Sequence, residues 1–109
     1  MEPSLGNLEE MILLVLMQMK DEAYGVSIHE TYVSQTNHTI TLSAVHTVLR
    51  RLEKKGFITS EMGGATADRG GRRKRLYTVT RFGYRTASAL QAQRTRLWKF
   101  IPKLDFGLS

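Results

Sequence analysis

The amino-acid sequence predicts a mainly helical α+β fold, and three observations carry this prediction. Apolar residues recur at helical spacing in three segments of the first 56 residues and again after residue 80. Between these segments, residues 57–62 and 75–79 have the composition and length of two strands. The charge is also divided, because residues 1–49 carry a net charge of −5 and residues 50–109 a net charge of +11. We therefore expect three helices, a two-stranded hairpin and a C-terminal helix, with a basic surface that faces a polyanion.

The bulk composition indicates one folded domain and excludes several classes of protein. The chain has 109 residues, of which 41% are hydrophobic and 24% charged, as in ordinary globular domains. It has no cysteine, which excludes a disulfide framework and a thiolate zinc site and favours a reducing compartment. The longest apolar run, Met11 to Met17, is far shorter than the roughly 20 residues of a membrane span. We expect a cytoplasmic protein without a membrane partner.

The first helix carries two apolar stripes. At about 100° per residue, one broad face collects Leu5, Leu8, Met11, Ile12, Val15, Leu16 and Met19. A second, narrower stripe on the opposite side consists of Leu13, Leu14 and Met17. One core requires only one such face, so the second stripe is expected to be covered by another surface.

The second and third helices are separated by a polar turn at residues 36–39. The second helix is expected over residues 24–35, although Gly25 inside it costs about 1 kcal/mol relative to alanine. Thr41 is a good N-cap for the third helix, which should end at Gly56. The face of this helix that is not apolar is small and polar at its start and basic towards its end. It comprises Ser43, Ala44, His46, Thr47, Arg50, Arg51 and Lys54.

The hairpin loop, residues 63–74, holds four of the nine glycines together with a basic cluster. Such a loop combines flexible backbone with positive charge at the tip of a hairpin. The bases of the loop and of the strand that follows it are Arg69, Arg72, Arg73, Lys74 and Arg75.

The last helix should begin after Thr80, which suits an N-cap, and should reach about residue 101, because Pro102 discourages its continuation. Four apolar residues along this segment follow a spacing close to that of a coiled coil. They are Leu90, Leu97, Ile101 and Leu104.

Three helices, a hairpin with a basic glycine-rich tip and a further helix form the order of a winged helix-turn-helix domain. In that fold the third helix enters the major groove of DNA, which is about 12 Å wide, and short side chains at its start allow close approach. The hairpin tip follows the DNA backbone or enters the minor groove. We assign residues 1–80 to a DNA-binding domain and residues 81–109 to a C-terminal dimerisation helix and tail, within one compact unit.

Several stretches of the chain resemble the PadR-like family of transcriptional regulators. They are Leu5-Gly6, residues 23–28 (AYGVSI), residues 49–58 (LRRLEKKGFI) and residues 69–80 (RGGRRKRLYTVT) with Gly83 after them. The glycine-arginine wing followed by Tyr-x-x-Thr-x-x-Gly is the most diagnostic of these. The resemblance covers about residues 5–90 and implies a repressor of the short form of the family, with one C-terminal helix, that acts as a homodimer. The chain differs at His46, where the family generally has tyrosine, and a histidine there is still able to donate to phosphate.

The residues expected to contact DNA lie on the third helix, on the wing and at the start of the second helix. They are Tyr24, Ser43, Ala44, His46, Thr47, Arg50, Arg51, Arg69, Arg72, Arg73, Lys74 and Arg75. The alternative for the wing bases is a solvated charge run. The alternative for Arg50 and Arg51 is an ion pair with Glu53 or Asp21, and the alternative for Tyr24 is packing in the core.

No metal site, cofactor or catalytic residue is predicted. His29, His38 and His46 are nine and eight residues apart, so no two of them share one face of one helix at the spacing that metal ligands need. The sequence also lacks a nucleophile elbow, a P-loop and a dinucleotide fingerprint. We expect that the protein is not an enzyme.

A homodimer built from the first and last helices is expected, because each of these helices has an apolar stripe that one small domain does not cover. The expected interface residues are Leu13, Leu14, Met17, Leu90, Leu97, Ile101 and Leu104. Trp98 flanks the last stripe and is either an interface anchor or, together with Met17, part of an effector pocket. The second interpretation follows from the family resemblance, since some short PadR-like proteins bind flat hydrophobic compounds between aromatic side chains.

The predicted function is that of a DNA-binding repressor that acts as a homodimer on a near-palindromic operator and is released by a small planar hydrophobic effector. The alternative is a winged-helix module that binds another protein or structured RNA without an operator.

Overall fold

The computed structural model describes residues 3–63 and 74–107 and has the predicted order of elements. The four helices are α1 (Asn7–Met17), α2 (Gly25–Thr36), α3 (Leu42–Lys54) and α4 (Arg81–Lys99), and the two strands are β1 (Ile58–Met62) and β2 (Arg75–Val79). A 3₁₀ turn at Lys20–Glu22 joins α1 to α2. This mainly helical α+β architecture with a two-stranded antiparallel hairpin is that of a winged helix and confirms the predicted fold class.

The ends of α3 and α4 follow from local chemistry. Thr41 and Thr80 are the N-caps of these helices, and their side-chain oxygens accept hydrogen bonds from Ala44 N at 3.0 Å and Gly83 N at 2.9 Å. Both caps were predicted. Gly56 follows the end of α3 with φ of 86°, a left-handed conformation that glycine adopts without steric cost.

The hairpin is joined to the rest of the domain by backbone hydrogen bonds. β1 and β2 pair in a register that sets Ile58 opposite Val79 and Met62 opposite Arg75. Tyr77 N donates to Ala23 O at 2.8 Å, which ties β2 to the segment before α2. The base of the wing is therefore fixed to the body of the domain, next to the beginning of α2.

The hydrophobic core lies between the first three helices and the base of the hairpin. Phe57, just before β1, is fully buried and stacks on Phe82 of α4 with ring centroids 5.0 Å apart. The other large side chains that are fully buried come from α1, α2, α3 and β1. They are Ile12, Leu13, Ile28, Val45, Leu49, Leu52 and Ile58.

Two glycines allow close approaches that a side chain would prevent. A Cβ atom on Gly25 would lie 2.5 Å from the His46 ring, so this glycine lets the start of α2 contact α3. A Cβ atom on Gly83 would lie 2.1 Å from Phe57 O, so this glycine lets the start of α4 contact the backbone before β1. The cost of Gly25 in α2 is thus explained by packing against α3.

The expectation that another molecule must cover Leu13 is wrong. Its side chain is 0% exposed within a single chain and belongs to the core. The reason is that α1 contacts α2, α3, α4 and β2 of the same chain, so that more than one of its faces is covered. Leu14 and Met17 are only partly buried against the core and keep some exposed surface.

The expectation that the stripe of the last helix continues to Leu104 is also wrong. The helix ends at Lys99, before Pro102, so Ile101 and Leu104 lie in the non-helical segment that follows. Proline lacks the amide donor that another helical turn would need, which accounts for the early end. Within α4, Gly83 and Ala87 are buried, whereas every residue from Gln91 to Lys99 is exposed.

Candidate nucleic-acid interface

The surface of α3 that faces away from the core is a row of polar and basic residues. The buried residues on the inner face of the helix are Val45, Val48, Leu49 and Leu52. Four residues recur at helical spacing on the opposite face, and we call them the outer row of α3: Ser43, Thr47, Arg50 and Lys54. The outer row has small side chains at the N-terminal end of the helix and long cationic ones at its C-terminal end.

Hydrogen bonds within the outer row stay on the helix itself. Thr47 Oγ1 donates to Ser43 O at 3.1 Å, and Arg50 Nη2 lies 3.5 Å from Thr47 Oγ1. Within residues 3–63 and 74–107, no carboxylate forms a salt bridge with Arg50 or Arg51, so the alternative of pairing with Glu53 or Asp21 is not what this part of the chain adopts. Both arginines are exposed.

Glu53 does not pair with these arginines and instead forms a hydrogen bond that connects α3 to the hairpin. Its Oε2 accepts a hydrogen bond from Ser60 Oγ at 2.7 Å, and Ser60 Oγ accepts one from Arg75 Nη1 at 3.0 Å. This chain of contacts joins α3, β1 and β2. Burial raises the pKa of Tyr77, whose phenol is influenced by the charges of Arg75 and Glu53, so it stays neutral at physiological pH.

Tyr24 and Lys74 contact each other at the base of the wing. The Lys74 ammonium lies over the Tyr24 ring, 4.0 Å from its centroid, in a cation–π contact. Tyr24 is half-buried at the N-cap of α2, so part of its side chain packs on the domain, as its alternative interpretation proposed. Lys74 and Arg75 therefore both have partners within the chain and fix the wing where it leaves the sheet.

His46 and Ala44 flank the outer row on its two sides. The His46 ring is half-buried against Gly25, which leaves part of it exposed next to α3 and the start of α2. Near the N-terminus of α3, His29 Nε2 lies 2.6 Å from Ile40 O and so positions the turn that precedes the helix. The predicted contacts Arg69, Arg72 and Arg73 lie outside the described residues.

Two buried carboxylates of α1 were not recognised from the sequence. Glu9 and Glu10 are both buried, and each pairs with a base from another part of the chain. Lys55 Nζ lies 2.8 Å from Glu9 Oε1, and Arg94 contacts Glu10 with two hydrogen bonds of 2.6 and 2.5 Å.

A signal for these ion pairs was present in the sequence. Helical spacing sets Glu9 in line with Leu13 and Leu16, and Glu10 in line with Leu14 and Met17. A carboxylate that continues an apolar stripe of a helix indicates a buried ion pair, because glutamate is almost never fully buried unless it is paired.

Two influences act on the pKa of Glu9 in opposite directions. Burial alone would raise the pKa of Glu9. The hydrogen bonds from Lys55 and from Gly6 N, with the positive charges of Lys55 and Arg51, outweigh this effect and hold the pKa below its ordinary value. Arg51 and Lys54 both lie beside the first turn of α1, where they line one depression together with Glu9.

The C-terminal part of the chain presents a second candidate surface, and it is apolar. Leu97 and Trp98 are 61% and 74% exposed, and further large apolar side chains are exposed after them. We call this the C-terminal apolar surface, and it consists of Leu97, Trp98, Phe100, Ile101, Leu104 and Phe106. Leu90, one of the predicted interface residues, is half-buried and lines a groove along α4 together with Leu97.

The predicted pairing of Trp98 with Met17 is not formed within one chain. A shallow depression beside Trp98 is lined by Gln91, Arg94, Thr95 and Lys99, all from α4, and Met17 does not line it. In the described part of the chain, no group of histidine and carboxylate side chains is arranged to hold a metal ion. None of the helices described here is long and apolar enough to cross a membrane.

Comparison with known proteins points to transcriptional regulators. A family model described as the transcriptional regulator PadR-like family matches residues 12–89. A PadR family transcription regulator from Clostridium difficile is 28% identical, with a TM-score of 0.61 over 83% of this chain and 90% of that one. A PadR family regulator from Eggerthella lenta is 26% identical, with a TM-score of 0.65 over 84% and 80% of the two chains.

A further solved structure extends the similarity in fold to nearly the whole chain. A Streptococcus mutans protein is 22% identical, with a TM-score of 0.66 over 96% of this chain and all of that one. No curated protein sequence matches the chain.

Proposed function

Because the chain belongs to the PadR-like family of transcriptional regulators, we propose that it binds duplex DNA as a homodimer and represses transcription from a near-palindromic operator. The observation that carries this proposal is the outer row of α3. Its four side chains face away from the core, and its two bases form no salt bridge with any carboxylate of the described residues. A helix face of this kind suits a polyanion.

The order of side chains along α3 fits insertion into the major groove with the N-terminal end first. Ser43 and Thr47 are short enough to let the helix approach the base edges, and the N-terminal end of a helix dipole attracts phosphate. Arg50 and Lys54, further along, are long enough to reach base edges or phosphates. Binding of this kind would repress transcription where the operator overlaps a promoter.

The wing would extend the contact to the neighbouring backbone or minor groove. Its base is held in place by the contacts that join Glu53, Ser60 and Arg75 and by the pair of Tyr24 and Lys74. The proposed phosphate contacts at its tip are the loop bases Arg69, Arg72 and Arg73. Each contact made to a phosphate should contribute to affinity without regard to sequence.

We assign dimerisation to the C-terminal apolar surface. Exposed Leu97, Ile101 and Leu104, with half-buried Leu90, would pack against a second copy, and the partly exposed Leu14 and Met17 of α1 offer it a matching apolar surface. A two-fold dimer presents two copies of α3. Its operator should therefore have two half-sites separated by one helical turn, about 34–36 Å.

We also propose that the repressor is released by a planar hydrophobic ligand that stacks on Trp98. The observation that favours it is the 74% exposure of the indole in a depression on α4. A pocket that includes Met17 would have to be completed by a second chain.

Since Trp98 is the only tryptophan, titration of planar aromatic cations should quench its fluorescence directly. A broad panel of compounds that leaves the fluorescence unchanged would leave Trp98 as an interface anchor only.

Selection of binding sequences from a random pool tests the DNA-binding proposal. The protein is incubated with random duplex DNA and, in parallel, with random structured RNA, and bound molecules are sequenced over several rounds. We expect a duplex sequence with internal two-fold symmetry to be enriched. Enrichment of RNA alone, or no enrichment, would favour the alternative of a winged-helix interaction module.

A further inference from the structure

Two neighbouring residues of α1 connect the candidate DNA-reading helix to the C-terminal helix. Glu9 binds Lys55, which directly follows α3, and Glu10 binds Arg94 of α4. Consecutive residues of a helix point about 100° apart, so a single turn of α1 directs one carboxylate to each neighbour. No other pair of adjacent residues in the described chain ion-pairs with two different elements.

The Glu10–Arg94 contact is strongly directional. The two guanidinium nitrogens Nη1 and Nη2 donate to the two carboxylate oxygens, which is the bidentate geometry with the most defined orientation. The Glu10 side chain is 3% exposed, whereas that of Arg94 is 54% exposed. A buried carboxylate depends on its partner, so α4 is held where Arg94 reaches it.

The Glu9–Lys55 contact fixes the end of α3 in a similar way. Lys55 Nζ lies 2.8 Å from both oxygens of Glu9 and donates to Ser4 O at 3.0 Å, so it also holds the segment that precedes α1. Glu9 Oε1 in turn accepts a hydrogen bond from Gly6 N at 2.6 Å. The end of α3 is therefore attached to the first turn of α1.

We propose that the Glu9–Glu10 pair sets the angle between α3 and α4 and so determines which spacing of half-sites the dimer accepts. This inference rests on the proposed function, in which α3 reads DNA and α4 carries the dimer interface. If α4 lies at the two-fold axis, its angle to α3 fixes the separation and the relative rotation of the two reading helices. One base pair more or less changes the DNA by about 3.4 Å and about 35° of rotation. Arg94 is then a positioning residue that touches no DNA.

The test measures spacing preference and not affinity alone. Operators are built from the selected half-sites with the selected spacing, with one base pair added and with one base pair removed. The wild-type protein should bind the selected spacing about tenfold or more tightly than the two others. Arg94→Gln and Lys55→Gln should each lower this preference to about threefold or less, through weaker binding to the selected spacing and relatively unchanged binding to the others.

Matched variants separate positioning from a merely structural role. Arg81→Gln makes the same chemical change on an exposed residue of α4 that does not line the groove of Leu90 and Leu97, and it should keep the wild-type preference. Arg94→Lys keeps one charged donor and should give an intermediate preference. Each glutamine variant leaves a buried carboxylate without a charged partner, so circular dichroism and sedimentation first establish which variants remain folded dimers, and Arg94→Lys carries the test if Arg94→Gln does not fold.

The outcomes are distinct. If wild-type protein enriches no two-fold symmetric duplex, the proposed function fails and this inference fails with it. If wild-type protein has a preferred spacing and folded, dimeric Arg94→Gln and Lys55→Gln variants keep it, the inference is overturned while the proposed function stands. A lowered melting temperature with an unchanged spacing preference would show that both ion pairs are structural only.

Discussion

α3 and α4 begin alike and differ in how far their own chain covers them. Each is capped by a threonine, but α3 buries Val45, Val48, Leu49 and Leu52, whereas α4 buries Gly83 and Ala87 and leaves Leu97 61% exposed. What is left uncovered on α3 is small, polar and basic, whereas the surface that begins at Leu97, near the end of α4, and continues into the segment after it is largely apolar. This difference indicates that the two helices are completed by partners of different chemistry, which we propose are DNA for α3 and a second copy of the chain for α4.

Replacing Leu97 by glutamate should have the strongest consequence for α4. The new carboxylate would be buried without a partner in the proposed dimer, so the dimer dissociation constant should rise about 100-fold, or about 3 kcal/mol. Sedimentation should then detect monomers, and operator binding should weaken with it. Ser88→Glu, at an exposed position on the opposite side of the same helix, is the matched control. A Leu97→Glu protein that stays dimeric would locate the interface elsewhere.

Replacing Arg50 by alanine tests the surface of α3. We expect operator affinity to fall about tenfold, since a contact from arginine to a base or phosphate contributes about 1–3 kcal/mol. The oligomeric state should not change. A phosphate contact would weaken binding to all sequences and reduce the slope of log affinity against log salt by about 0.9, whereas a base contact would relax specificity at one position. Arg85→Ala removes the same charge from α4, and an equal loss of affinity by an Arg85→Ala protein that stays dimeric would refute the assignment to α3.

The base of the wing should give a smaller effect. Tyr24→Leu removes the ring under Lys74, and cation–π contacts at partly exposed sites contribute about 0.5–1 kcal/mol. Operator affinity should therefore fall about two- to fivefold, measured by fluorescence anisotropy at fixed salt. Tyr24→Phe keeps the ring and removes the hydroxyl. If Tyr24→Phe lowers operator affinity as much as Tyr24→Leu does, the hydroxyl of Tyr24 contributes to binding and the contact of its ring with Lys74 does not.

The weakest effect is on stability and concerns the end of α3. Because the pKa of Glu9 is lowered in the folded protein, its ion pair with Lys55 stabilises the fold above the ordinary pKa of 4.5, and this contribution is lost as the pH falls through the lowered value. Urea denaturation of wild type and Glu9→Gln should give a constant difference in free energy of unfolding from about pH 7 to about pH 5.5, which shrinks below pH 4.5. A difference independent of pH throughout would mean that the charge of Glu9 is unimportant.

Much of the fold could be predicted because it depends on local periodicity and on caps. The order of the elements, the N-caps Thr41 and Thr80 and the limits of β2 all follow from spacing and residue type within a few positions. The 3₁₀ turn at Lys20–Glu22 was not predicted, since it has no period of its own. The last helix was predicted to extend beyond Lys99 because the apolar spacing continues up to and past the proline.

The contacts between distant parts of the chain could not be predicted in the same way. Leu13 was expected at an interface because the periodicity of one helix does not reveal how many other elements pack against it. Glu9 and Glu10 entered the prediction only through the net charge of residues 1–49, although their helical positions continue apolar stripes and both are buried.

The same distinction between local pattern and long-range packing applies to the candidate interface. Spacing was enough to identify the outer row of α3, because it depends on one helix only. The partners of Lys74, Arg75 and Glu53 depend on how the hairpin lies against α2 and α3, which no local pattern encodes.

Footprinting on the selected duplex, combined with the mass of the complex, is the decisive experiment for DNA binding by a dimer. With two copies of α3 in successive major grooves, hydroxyl-radical cleavage should show two protected patches about 34–36 Å apart and related by two-fold symmetry, and the complex should contain two chains. Protection of one uninterrupted half-site by a single chain would refute the proposed dimeric regulator.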